Sequence, residues 1–173
     1  WVTAAKQLVS GQVGIDMLAG PSELLVIADE SANAELVAAD LIAQAEHDPD
    51  AVPILVTTSA RVVEDVQASL GSLLEGLDTA DIARQSLAQG ASVVCGNWSE
   101  AAAFTNRLGP EHLEVQVKTP ESLVPMLENY GALFIGEGSA EVLGDYGAGP
   151  NHVLPTSGTS RFRGGLSVFD FMR

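Results

Sequence analysis

Five short apolar runs, spaced by segments of helical periodicity, constrain this chain more than any other feature. The runs are "LLVIA" (24–28), "VPILVTT" (52–58), "ASVVCG" (91–96), "HLEVQV" (112–117) and "ALFIG" (132–136). Each is too short for a helix and rich in β-branched or aromatic residues, so each reads as a strand. Helices are expected over 2–9, 33–46, 60–75, 79–88 and 99–109, and over 120–131 with a break at Pro125. Asp29 or Ser31, Ser59 and Ser99 stand where N-caps belong, and Gly109 where a helix should stop. Strand–helix alternation of this kind predicts an α/β fold, an open and mostly parallel sheet with helices on both faces. Continuous apolar runs suit strands covered on both sides, whereas "HLEVQV" alternates and predicts a half-buried strand. From Gly136 onward periodicity is lost, and 136–173 is an irregular Gly/Pro-rich segment. The expected organisation is a single α/β domain over 1–173, with 1–135 as its core.

Charge and cysteine usage narrow the function classes. A net charge of −15 opposes binding to nucleic acid or to an anionic membrane, either of which needs a basic face. The apolar runs are far too short to span a bilayer, and no basic-then-apolar signal opens the chain. The single Cys95 cannot form an internal disulfide, which fits a reducing cytoplasm and an inert, buried thiol. Arg161, Arg163 and Arg173 near the end read as a solvated tail or a contact with an acidic neighbour. Because it starts with Trp1, and both ends read as cut, the sequence reads as a piece of a longer protein.

The chemistry-bearing residues are few. Of the three histidines, His47 lies in "QAEHDPD", His112 in "LGPEHLE" and His152 in "GPNHVLP". All are expected where loops gather at the carboxyl ends of the strands. Gln44 and His47, three apart on one helix, share a face and can grip a metal ion or a polar ligand before Pro49 ends the helix. Asp145 in "GDYGAG" is a carboxylate in a Gly-rich turn. Glu111 beside His112 joins a carboxylate to an imidazole, a combination suited to proton transfer near neutral pH. Ser22 in "AGPSE" is a turn residue that could hold a ligand. "GEGSAEVLG" mimics a dinucleotide loop, but Glu141 stands in place of the third glycine, so a plain turn is expected there.

Three blocks together resemble the histidinol dehydrogenase family: "GIDMLAGPSELLVIADESANAELVAADLIAQAEHDPDA", "NRLGPEHLEVQV" and "GDYGAGPNHVLPT", in the family's order and spacing. The resemblance implies a Rossmann-like sheet within a cytoplasmic, homodimeric, zinc- and NAD-dependent enzyme of histidine biosynthesis. That enzyme oxidises L-histidinol to L-histidine by two hydride transfers through a bound aldehyde. By motif, Gln44, His47 and Asp145 look like zinc ligands that also meet the substrate, and Ser22, His112 and His152 like further substrate contacts. His112 matches the base of the first oxidation, and Glu111 the group that activates water before the second. A fourth zinc ligand and the NAD contacts fall outside this sequence in the family's pattern, so the chain alone is expected to be inactive. On the residues alone, a zinc hydrolase using Gln44, His47 and Asp145 with Glu111 as base, or a non-catalytic truncated domain, remain alternatives.

Overall fold

The computed structural model describes residues 1–145 and 151–172. Helix α1 (Val2–Val9) leads to β1 (Glu23–Ala28), α2 (Ala34–Ala45), β2 (Val52–Thr57), α3 (Ala60–Leu74), α4 (Ala80–Leu87) and β3 (Ala91–Val94). Then come α5 (Trp98–Leu108), β4 (His112–Gln116), α6 (Pro120–Leu123), β5 (Ala132–Ile135) and α7 (Val142–Asp145). Single 3-10 turns follow at Thr159–Arg161 and Val168–Phe171. The five strands form one sheet in the order β3-β2-β1-β4-β5, every pair parallel. This is the doubly wound arrangement, with its switch in direction between β1 and β4.

Side-chain alternation divides the core. Leu24, Val26, Ala28 and Leu55 face α2 and α3, packing on Val37, Ala38, Leu41, Val62 and Val66. Leu25, Ile27, Ile54, Val56, Leu113 and Val115 face the other way, onto Ala101 and Ala102 of α5 and Leu123 of α6. Burial on both faces favours continuous apolar runs, and β1 and β2 are buried almost throughout.

Three local expectations change. The cap of α2 is Asn33, whose side chain accepts the Glu35 and Leu36 N–H groups. Asp29 is drawn elsewhere, to the N–H groups of Ser31 and Lys118. Likewise Asn97, not Ser99, caps α5 by accepting the Glu100 N–H. Strand β4 is buried at all five positions rather than on one face, because α2 and the 136–145 segment cover its polar side. Gly109 does end α5, in the left-handed conformation (φ 64°) that favours glycine. Arg161 is no free tail: its guanidinium donates to the carbonyls of Arg107 and Gly158, closing the end of α5. Cys95 is half-buried, and burial together with Glu100 pushes its thiol pKa up, away from reactivity.

Candidate active site

A cavity of about 540 Å³ is lined by Ser22, Ala43, Gln44, Glu46, His47, Glu111, His112, Glu141, Val142, Asp145 and His152. All seven expected site residues are in that lining. They come from parts of the chain more than a hundred positions apart, so the fold, not sequence proximity, assembles them.

Its location corrects one expectation. Ser22 precedes β1, Glu111 precedes β4, and His112 is the first residue of β4. Gln44 is in the last turn of α2, which runs back antiparallel to β1. The cavity therefore lies at the amino ends of the strands, the edge opposite the usual α/β ligand crevice. Helix carboxyl ends gather there, and their partial negative charge favours a cation. Glu46, Glu111, Glu141 and Asp145 add carboxylates to that edge, and no Lys or Arg joins the lining among the described residues.

His47 lies just past the helix rather than on it, in a turn where its N–H donates to the Gln44 carbonyl at 3.3 Å. The turn keeps both side chains on the cavity although helical spacing no longer relates them. Gln44 is 3% exposed, and its Oε1 has no hydrogen-bond partner among the described residues. A buried amide oxygen left unpaired costs about 1–3 kcal/mol, and a bound cation would remove that cost. Among the described residues no three His, Cys, Asp or Glu side chains form a closed metal cluster. His47, Asp145 and the amide of Gln44 border the same space.

The Glu23 backbone clamps Glu111 and His112. Its N–H donates to Glu111 Oε2 at 3.1 Å, and its carbonyl lies 3.2 Å from His112 Nδ1. A carbonyl can only accept, so Nδ1 carries the proton and Nε2 keeps a free lone pair. Nε2 is buried and has no protein partner among the described residues. Glu111 is held from below as well: Gly131 and Ala132 donate to the carbonyls of Pro110 and Glu111. A Cβ at Gly131 would collide with the Glu111 carbonyl. Burial lowers the His112 pKa, which keeps the ring neutral. Burial, with the nearby charge of Glu23, raises Glu111 to about 7. Ser22 stands beside that carboxyl and favours its charged form.

Glu141 lies outside the expected residues yet belongs to the cavity. It is 7% exposed, its Oε2 is 3.6 Å from His112 Nδ1, and burial raises it to about 7. Glu111 Oε2 is also 3.6 Å from Nδ1, so two carboxyls flank one imidazole. As expected, the glycines before it form a plain turn, with Gly136 at φ +86° and Ser139 donating to its carbonyl. His152 reaches the lining from a segment tied to the β1 turn: Ser157 N–H donates to Glu23 Oε1, and Gly20 N–H to Thr156 Oγ1. The segment 146–150 between Asp145 and His152, part of the block "GDYGAGPNHVLPT", lies outside the described residues.

Comparison with known proteins gives one answer. The family model for histidinol dehydrogenase matches residues 1–173. The histidinol dehydrogenase of Methylococcus capsulatus is 52% identical over the whole chain, which spans 40% of that relative. That of Thermus thermophilus is 50% identical, with 42% of its length spanned. The crystal structure of histidinol dehydrogenase from Elizabethkingia anophelis superposes with a TM-score of 0.94 at 42% identity, over 98% of this chain and 39% of that one. The chain thus spans about two fifths of the length of the relatives it matches, and it belongs to the histidinol dehydrogenase family.

Proposed function

We propose that this chain is the domain of a zinc- and NAD-dependent histidinol dehydrogenase that carries the acid–base pair and most of the metal ligands. The observation that carries the reading is the convergence of Ser22, Gln44, His47, Glu111, His112, Asp145 and His152 on one acidic cavity.

Gln44, His47 and Asp145 would hold the zinc, and the unpaired Gln44 Oε1 is the feature that fits it. Bound there, the ion would supply a fixed positive charge to orient the substrate's imidazole and amino groups. Ser22 and His152 border the same space and supply further polar contacts to substrate.

The division of labour follows from the two environments. His112, neutral and with Nε2 free, takes the hydroxyl proton as the alcohol is oxidised. Its Nδ1–H stays on the Glu23 carbonyl, and Glu141 stands as counter-charge to the imidazolium formed. Glu111, near neutrality, accepts a proton from the water that adds to the aldehyde before the second oxidation. NAD, held by the longer protein, would supply the hydride acceptor. The residues of this chain do not fit its pyrophosphate: the β1–α2 turn, "ADESANAE", has no glycine and places Asp29 and Glu30 at the switch point. The nicotinamide contacts are therefore assigned to the longer protein.

Homodimerisation and a cytoplasmic location are part of the same proposal. No helix among the described residues is long and apolar enough to cross a membrane. Val168, Phe169 and Phe171 are each more than 70% exposed, apolar surface that suits contact with the rest of a longer protein. The test is to mix the purified full-length protein with L-histidinol and NAD and follow NADH and histidine. Formation of both, lost with a chelator and restored by zinc, is expected. No histidine from active-site-loaded protein would overturn the proposal.

A further inference from the structure

One buried acid is unused by the mechanism above. Glu114 lies two residues beyond His112 on β4 and Gln116 two beyond that, so all three project from one face of the sheet. Glu114 is fully buried, and Gln116 is 2% exposed. The Gln116 Nε2 donates to Glu114 Oε2 at 3.1 Å and to Asp40 Oδ2 of α2 at 3.2 Å. One amide thus straps two carboxyls side by side. Two such groups in a low-dielectric wall cannot both be ionised and share a proton.

The groups facing Glu114 are few. Its strand neighbours in register are Val26 on β1 and Phe134 on β5, both apolar. Asp40 faces it from α2, His112 and Gln116 flank it on β4, and Glu141 approaches from the segment before α7. Glu141 in turn feels Asp40 and Asp145. Among the described residues no Lys or Arg pairs with Asp40, Glu114 or Glu141. Among those same residues Glu114 Oε1 and Gln116 Oε1 have no partner. A well-packed apolar trio would be at least as stable here, so the acids call for a functional explanation.

Resting on the acid–base roles proposed above, we propose that Glu114 is a positioning residue: the proton it shares with Asp40 sets the negative charge standing behind Glu141 and His112, and its release stabilises the His112 imidazolium. Burial, with the charge of Asp40, raises Glu114 to about 8, so release falls on the alkaline side. The added charge strengthens His112 as a base and speeds the step in which it takes the substrate proton.

The experiment uses the full-length, zinc-loaded protein and two variants, Glu114→Gln and Asp40→Asn, over pH 6.5–9.5. In the wild type, log kcat should rise through a step near the Glu114 value of about 8. Glu114→Gln, frozen in the neutral form, should lack the step, so that the wild-type-to-variant ratio grows roughly tenfold between pH 7 and 9 while KM changes little. Asp40→Asn removes the charge opposing ionisation and should move the step to lower pH. His112 is followed in parallel by NMR of ring-labelled histidine, where its resonance should show the same inflection in the wild type and lose it in Glu114→Gln. A ratio constant with pH, or an inflection retained in Glu114→Gln, overturns the proposal in favour of a structural role. Should the wild type fail to oxidise histidinol, the functional reading falls while the His112 titration still decides the role of Glu114. If Glu114→Gln does not fold, the shift in Asp40→Asn, or its absence, gives the answer.

Discussion

Replacing Gln44 by methionine should stabilise the metal-free protein and destabilise the zinc-loaded one. The side chains have similar length and volume, so packing against the end of α2 changes little. What changes is the amide: Gln44 is 3% exposed, and its Oε1 meets no donor among the described residues. An unpaired buried group of that kind costs about 1–3 kcal/mol, and methionine removes it. With a urea m-value of about 2 kcal/mol per molar for a domain of this size, the midpoint should rise by roughly 0.5–1.5 M in chelator. Zinc at a thousandfold excess over its Kd adds about 4.1 kcal/mol to a protein that binds it only when folded. A variant without the Gln44 oxygen should gain much less, so the order of stabilities reverses once zinc is present. Urea titrations of both proteins, with chelator and with zinc, check both halves. Equal or lower stability of the metal-free variant would refute the claim that Gln44 is held unpaired for a ligand. An equal zinc increment in both proteins would refute its role as a donor.

The pH dependence of stability has a defined sign. Glu111 and Glu141 are raised from 4.5 to about 7 and Glu114 to about 8, so the folded state binds more protons above pH 4.5. Their contribution is full below that pH and is lost as pH rises through 7 to 8; His112, lowered by burial, opposes this only below about 6.5. The metal-free protein should unfold at lower denaturant at pH 8 than at pH 5.5, and the reverse order would contradict the burial of these acids. Gly131→Ala should cost about 1–3 kcal/mol, because the new Cβ meets the Glu111 carbonyl, and should lower kcat of the full-length enzyme at least tenfold. Asn33→Ala should cost about 1 kcal/mol through the lost cap, measured by thermal melting. Its zinc affinity, read by calorimetry, should stay unchanged, since the cap is at the opposite end of α2 from Gln44.

Much of the fold is legible because continuous apolar runs have one good solution, a parallel strand covered on both sides. "HLEVQV" misleads, since alternation normally means a wet face, and only the fold shows that Asp40 and the 136–145 segment close over it. The caps mislead for a local reason. Asp29, Ser31 and Asn33 are all good caps by type, and Asp29 is diverted to Ser31 and Lys118. The edge carrying the site was readable in principle. Ser22 and Glu111 precede strands, and the end of a crossover helix returns to the amino edge, so Gln44 and His47 had to meet them there. Glu141 was hidden because it was weighed as a misplaced glycine in a phosphate loop, and no local pattern marks a carboxyl that folds back onto a distant histidine. From residue types alone a hydrolase fits as well as a dehydrogenase, since both need a metal and a carboxylate base. The order and spacing of the three blocks separate them.

The most direct test of the division between His112 and Glu111 is the yield of NADH per histidinol in the full-length protein, measured for Glu111→Gln and His112→Asn. Glu111→Gln should pass the first hydride and stall before the second, giving about one NADH per histidinol consumed and almost no histidine, whereas His112→Asn should slow the first oxidation itself. Two NADH and a full yield of histidine from Glu111→Gln, at a rate near that of the wild type, would contradict the assignment of that carboxyl to water activation.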